Sequence, residues 1–317
     1  MKINHTLMAT PKTIHWGYYD ASLQPVLKVD SGDIIDIYTV SGDPTIYQNL
    51  GVNSTDIPDE LIQIHDQVKD KGPGPHILTG PIFVNGAQPQ DVLEIEILNI
   101  SPTVNYGYNM SSPGYGTLPE DYPYQRSKLL KLNLEKNTAQ FSDNIELSLN
   151  PFFGQLGVAP PKNIKRLNST APGFHGGNLD NKELIVGSKI FLPVHVPGAL
   201  FSVGDGHAIQ GDGESNISAL ETCLNGKLKL TVRKDLRILW PMAETHDHII
   251  SMGFHENLFE ASKMAIRNMI LYMIQSLGLD QDDAYSLISL SVDLHVTQLV
   301  NGVKGIHGLL PKAILNH

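Results

Sequence analysis

Between Pro197 and Glu214 the chain reads P-G-A-L-F-S-V-G-D-G-H-A-I-Q-G-D-G-E, a run in which glycine alternates with groups that bind metals or move protons. Gly204, Gly206, Gly211 and Gly213 permit backbone angles closed to other residues and leave room for a ligand beside the main chain. Between them stand Asp205, His207, Gln210, Asp212 and Glu214. In an extended segment the period of two puts Asp205 and His207 on one face, and likewise Gln210, Asp212 and Glu214. An apolar strand running from Ala199 to Val203 into such a polar turn makes a candidate wall of an active site. The competing reading is a solvated hairpin turn, because Gly and Asp are common turn residues.

Other groups with the right chemistry lie elsewhere. His76 sits in G-P-G-P-H-I-L-T-G-P (residues 72–81), a rigid turn before a strand. His246 and His248 form a His-Asp-His pair that reads more simply as an exposed loop. Glu94 and Glu96 alternate with Leu93, Ile95 and Ile97, the pattern of a solvated strand face. The one cysteine, Cys223, follows Glu221-Thr222, and its spacing to Glu221 and Lys227 does not distinguish a nucleophile from a buried structural thiol. There is no Gly-x-Ser-x-Gly elbow, no P-loop and no Gly-x-Gly-x-x-Gly at a strand–helix junction, so serine-hydrolase and nucleotide chemistry lack their signatures.

The elements that must hold these residues are mostly strands. Gly and Pro punctuate the first two thirds of the chain, and strand-length segments recur at Val26–Val29, Asp33–Val40, Ile82–Asn85, Asp91–Ile100, Leu129–Leu134, Ile145–Leu149 and Lys189–Val196. Two of them open alike, S-G-D-I-I-D-I-Y from Ser31 and P-Q-D-V-L-E-I-E from Pro89, which suggests equivalent strands. Residues 101–126 and 151–180 read as long loops. Lys227–Val232 predicts a strand continuing through Arg237–Trp240. Glu256–Leu277 carries apolar residues at helical spacing, Asp280 caps a second helix, and Ser291–Val300 returns to alternation. The fold class expected is therefore mainly β, a β-sandwich or barrel over residues 1–215, followed by a β-α-α-β unit in an α+β region over 216–317 packed on it.

Composition bounds the partners. The 317 residues carry 33 acidic and 23 basic side chains, a net charge of -10, with no basic run. Nucleic acid and anionic membrane surfaces are not expected partners. The N-terminus lacks a signal-peptide apolar core and no stretch reaches the about 20 apolar residues of a spanning helix, so a cytoplasmic location is expected.

The same blocks resemble the acetamidase/formamidase family of metal-dependent amidases. The resemblance is carried by the 197–214 stretch, by L-T-G-P-I-F-V-N-G-A (78–87) with D-V-L-E-I from Asp91, by G-G-N-L-D (176–180), and by Asp293–Lys312 with T-Q-L-V-N from Thr297 and L-P-K from Leu310. The blocks run in family order along almost the whole chain. One departure is Gln90, where the family has glycine before the aspartate. The resemblance implies hydrolysis of a short aliphatic amide, such as formamide or acetamide, to ammonia and carboxylate by a metal-activated water. It implies a divalent ion, Zn²⁺ first and Ca²⁺ second, held by His76, Asp180, Asp205 and His207. Glu214, with Asp212, would carry the acid–base catalysis, and Asn178 or Gln210 would bind the substrate. The resemblance further implies that the β region is a jelly-roll-like sandwich, that Asp91 and the C-terminal strand fold over the site, and that the protein forms a homodimer or a higher homo-oligomer. Two alternatives remain on the sequence: a non-catalytic β-sandwich binding a small ligand or calcium, and a hydrolase of another small C–N substrate.

Overall fold

In a computed structural model the described residues are 2–315. In chain order the strands of the first half are β1 (His5–Leu7), β2 (Ile14–Trp16), β3 (Tyr18–Tyr19), β4 (Leu27–Val29), β5 (Ile34–Thr39), β6 (Ile77–Val84), β7 (Val92–Pro102), β8 (Tyr106–Ser111), β9 (Arg126–Asn133), β10 (Thr138–Ser142) and β11 (Ile145–Ser148). Helices α1 (Pro44–Asn49) and α2 (Asp59–Gln67) lie between β5 and β6. There follow β12 (Phe152–Gly157), β13 (Leu167–Asn168), β14 (Gly176–Asn178), β15 (Lys189–Pro193), β16 (Phe201–His207), β17 (Leu224–Arg233), β18 (Met242–Glu244) and β19 (His248–His255). The chain closes with α3 (Leu258–Leu277), α4 (Gln281–Ser291), β20 (Asp293–Gln298) and β21 (Lys304–Pro311).

Two sheets face each other. The larger has nine strands in the order β1-β5-β17-β7-β15-β18-β19-β21-β20; the second has the order β14-β12-β16-β6-β2, with β4 beside β6. Ile35, Ile37, Ile95, Ile97, Leu228 and Leu230 from the first meet Ile82, Val84, Phe153, Leu156, Phe201 and Val203 from the second in one apolar core. Alternation on β5, β7 and β17 puts these side chains inward, and their burial is the main stabilising term of the fold. The mainly-β fold with a C-terminal helical part is as the sequence led us to expect. β5 and β7, the two strands that open alike, flank β17 and run antiparallel to it. Strands from both sides of residue 215 thus share one sheet.

The helices behave as their sequence signals require. Asn257 caps α3 by accepting from the N–H groups of Phe259 and Glu260, Gly278 ends it in a left-handed conformation, and Asp280 caps α4 through the N–H of Asp283. α3 lies directly on β19 because residue 253 is glycine: a Cβ there would sit 2.1 Å from the carbonyl of Ala261. None of the described helices is long and apolar enough to cross a membrane.

Several expectations need correction. Residues 101–126 are not one loop but contain β8, and 151–180 contain β12 and β14. Those strands are glycine-interrupted or buried on both faces, so none of them alternates. β17 ends at Arg233 rather than running on to Trp240; the Arg233–Asp235 ion pair and the contact of Lys234 with Asp91 turn the chain away. Glu94 is not solvated. It is buried between Arg233 and Lys189, which the neighbouring strands supply.

Candidate metal centre

β16 runs between β12 and β6, antiparallel to both, and brings Asp205 and His207 to its C-terminal end. Asp180 follows β14, which pairs with the other edge of β12. Glu214 comes from the loop after β16. Glu221 precedes β17 and pairs with His207 through an isolated antiparallel bridge. His207 Nε2 lies 3.4 Å from Glu221 Oε1, 3.5 Å from Asp205 Oδ2 and 3.9 Å from Asp180 Oδ1. His76, at the entrance of β6, reaches Asp205 Oδ2 with Nε2 at 3.6 Å. The space between these groups exists because residue 154 on β12 is glycine. A Cβ there would stand 2.6 Å from both Asp180 Oδ1 and Asp205 Oδ2 and 2.8 Å from His207 Cε1.

The backbone is strained where it delivers the acids. Asp180, Asp205 and Glu214 have φ of 44°, 59° and 45°, the left-handed region that side-chain-bearing residues seldom occupy. Such conformations persist where surrounding structure over-determines them, and they concentrate at functional sites.

Four carboxylates gathered with two imidazoles in a buried space repel one another unless something positive intervenes. Burial and repulsion from Asp205 push Asp180 up to about 7 and Glu221 up to about 8, and burial with the charge of Asp180 raises Glu214 well above the usual carboxylate range. Burial also acts to raise Asp205, but the His76 and His207 imidazoles overcome it and hold that carboxyl down at about 2. His207 rises well above its usual value because Glu221 and Asp205 outweigh its burial. Asp180 Oδ1 and Glu214 Oε2 are buried and have no hydrogen-bond partner. Unsatisfied buried carboxylate oxygens are costly, and a divalent cation is what such a donor set accommodates. Carboxylate oxygens mixed with imidazole nitrogen suit a borderline ion such as Zn²⁺.

His76 presents the correct nitrogen for a ligand. Tyr19 donates its hydroxyl to Gln155 Oε1 at 3.0 Å, so the Gln155 amide nitrogen faces the carbonyl of Ser169 (2.6 Å) and Asn178 Oδ1 (2.8 Å) and both its protons are used there. His76 Nδ1 lies 3.1 Å from that amide nitrogen and 2.9 Å from Ser169 Oγ; with the amide protons taken by the two closer oxygens, Nδ1–H donates to Ser169 Oγ and the lone pair is left on Nε2, toward Asp205. This network also accounts for Asn178. Its Oδ1 accepts from Gln155 and its Nδ2 donates to the Thr170 carbonyl, so the side chain secures the 170–178 loop rather than facing a ligand. Gln210 donates to the Asp180 carbonyl at 2.7 Å and keeps a buried Oε1 without a partner. Asp212 is not brought to the cluster: it pairs with Lys182 at 3.0 Å and His295 at 2.9 Å. Asp91 is also elsewhere, capping its own turn through the N–H of Gln88 and pairing with Lys234. The C-terminal segment does close over the site, for Asn301 Nδ2 donates to Asp180 Oδ2 at 2.6 Å. Cys223 is buried with its thiol pushed up to about 11 by desolvation, a structural residue. Glu221 is the member of the cluster that the sequence motifs did not single out as a site residue. Its signal was two-residue alternation with Cys223 on the approach to a strand.

Fold and cluster together define a β-sandwich protein with an enclosed carboxylate–imidazole centre suited to a divalent ion. The chain belongs to the Acetamidase/Formamidase family, whose model matches residues 23–172 and 167–317. It is similar to the crystal structure of an acetamidase from Bacillus halodurans, with 31% identity, a TM-score of 0.82 and 97% of each chain covered. An acetamidase from Yersinia enterocolitica aligns with a TM-score of 0.86 and 28% identity over 100% of this chain and 94% of that one. The acetamidase of Mycolicibacterium smegmatis is 28% identical over 199 residues, 44% of this chain and 49% of the relative. The chain spans about half the length of the curated relatives it matches.

Proposed function

We propose that the protein hydrolyses short aliphatic amides, formamide and acetamide among them, to ammonia and the carboxylate at the centre formed by His76, Asp180, Asp205 and His207. The observation that carries this reading is the pair of buried, unpartnered oxygens, Asp180 Oδ1 and Glu214 Oε2, beside the gap left by Gly154. Membership of the family supports the reaction class. A divalent ion held by those four residues would supply Lewis acidity and lower the pKa of water, both of which ease attack on an unactivated amide.

The protein's own groups do the rest. Glu214 Oε2 takes a proton from the attacking water and returns it to the amide nitrogen as the C–N bond breaks, so that ammonia leaves. Gln210 Oε1 accepts an N–H of the substrate, while Gln210 Nε2 keeps the Asp180 backbone in place. Glu221 orients His207 and spreads its charge. The cluster is enclosed, with Asp180 and His207 each 1% exposed, and that closure favours substrates of few atoms and excludes bulk water. A homo-oligomer belongs to the same reading, supported by the exposed apolar side chains Phe259, Tyr285 and Leu290 on α3 and α4.

The test is ammonia release from formamide and acetamide, abolished by a chelator and restored by Zn²⁺. No turnover across short amides, together with stabilisation by Ca²⁺, would overturn the reading in favour of a calcium-binding β-sandwich.

A further inference from the structure

Away from the centre just described, a second set of donors converges on the edge of the large sheet. His295 on β20 and His307 on β21 are direct cross-strand partners, so their side chains leave the same face. Their ring centroids are 5.4 Å apart. Asp212, from the loop between β16 and β17, reaches His295 Nδ1 with Oδ2 at 2.9 Å. One ligand atom from each of Asp212, His295 and His307 lies within 4.8 Å of the other two. His307 is fully buried, yet its Nε2 has no hydrogen-bond partner. Its other nitrogen contacts Thr297 Oγ1 at 2.8 Å, and a donated Nδ1–H there leaves a lone pair on Nε2. A buried imidazole with one nitrogen anchored to a hydroxyl and the other unsatisfied beside a carboxylate has the arrangement of a metal-ligating histidine.

We propose that Asp212, His295 and His307 form a second cation site, selective for a Zn²⁺-class transition ion and distinct from the His76–Asp180–Asp205–His207 centre. Two imidazoles and one carboxylate are the wrong donors for Ca²⁺ or Mg²⁺, which take oxygen ligands, and the right ones for Zn²⁺. Bonds of about 2.0–2.1 Å to a tetrahedral ion bring ligand atoms about 3.3 Å apart. Asp212 Oδ2 and His295 Nδ1, 2.9 Å apart, need part only slightly to reach that spacing, and their side chains, 29% and 36% exposed, have room to adjust. The fourth position opens on that exposed side. Lys182 Nζ, 3.0 Å from Asp212 Oδ2, holds the carboxylate in the ion's absence and must swing out when it binds.

The site has a structural consequence. Gly213 N–H donates to the Thr297 carbonyl, and the N–H of Leu299 donates to the Gly213 carbonyl. A cation on Asp212 therefore rivets the loop that carries Glu214 to β20 and β21.

The experiment is a Zn²⁺ titration of the purified full-length protein, first stripped by a chelator, with bound metal counted after dialysis. Wild type is expected to hold one equivalent more than His295→Gln and one more than Asp212→Asn, while Asp205→Asn keeps this equivalent and loses the other. Co²⁺ loaded into Asp205→Asn should give a visible absorption band that Asp205→Asn/His295→Gln lacks. Lys182→Met, which removes the competing cation, should tighten this equivalent about fivefold. Equal stoichiometry in wild type and His295→Gln overturns the proposal. Loss of no equivalent in Asp205→Asn would instead count against the first centre, so the two failures are distinguishable. His246→Gln, an exposed histidine, should change nothing; if it removes the equivalent, surface imidazoles account for it and the proposal falls.

Discussion

Gly154→Ala tests the geometry of the candidate centre with a single carbon atom. The new Cβ would stand 2.6 Å from Asp180 Oδ1 and Asp205 Oδ2, and ordinary contact begins at 3.4 Å. Each oxygen must then retreat by about 0.8 Å, since the β12 backbone is held between β14 and β16 and cannot yield as readily. Metal–ligand distances tolerate about 0.2 Å, so the donor set is spoiled although no donor is removed. Overpacking of this kind costs about 1–3 kcal/mol. If the cost falls on cation binding, at about 1.4 kcal/mol per factor of ten, affinity drops roughly five- to 140-fold. The assay is a Zn²⁺ titration with ammonia release from acetamide measured in parallel, and thermal unfolding as the check that the sandwich is intact. A Gly154→Ala protein that binds and turns over as wild type would refute the argument that the gap beside Gly154 is where the ion sits.

Further predictions follow from neighbouring contacts. Asp205→Asn should lower amide turnover more than about a hundredfold, measured with Zn²⁺ in excess, because it removes the carboxylate that both histidines face. Asn301→Ala, which frees Asp180 Oδ2, should weaken Zn²⁺ binding about ten- to a hundredfold while the melting temperature moves little. Gln90 has φ of 77°, a conformation glycine adopts without strain, so Gln90→Gly should raise stability to urea by about 0.5–1 kcal/mol with unchanged activity. Asp91 is acted on first by burial, which raises its carboxyl, and then more strongly by Lys234 and the Gln88 N–H, which together hold it below 3.8. Its folded value is below its unfolded one, so its contribution is full above about pH 4 and is lost as pH falls through the folded value. Asp91→Asn should therefore destabilise at pH 7 by about 1 kcal/mol and converge with wild type in acid, as read by urea unfolding across pH.

Alternation made the large sheet readable. β5 and β17 each bury one face, and their apolar residues recur every second position, while in β7 Leu93, Ile95 and Ile97 keep the same spacing. The same rule hid the strand that matters most to the site. β12 reads F-F-G-Q-L-G and is buried along its whole length, so it has no polar face to alternate with. Metal-ligand candidates were legible because His76, Asp180, Asp205 and His207 stand in glycine-rich blocks that the resemblance aligns. Glu221 was not, since its neighbours Thr222 and Cys223 are ordinary strand residues and only the bridge to His207 gives it meaning. Asp212 and Asp91 show the converse limit. Both have the right chemistry and the right motif, but each found a lysine nearer than the cluster.

The position of β17 carries a consequence for how the chain is made. β5 and β7 are hydrogen-bonded to β17 and not to each other, so a gap one strand wide remains in the middle of the sheet until residues 224–233 have left the ribosome. Until then both strands present open hydrogen-bonding edges and an unfilled core, a state prone to pairing with foreign strands. Closing the gap also delivers Glu221 to His207, because the bridge between them lies at the threshold of β17. Completion of the sheet and assembly of the cluster are thus one event in synthesis. A nascent chain stalled before residue 221 should be aggregation-prone and blind to Zn²⁺, while one stalled beyond the last strand should be neither.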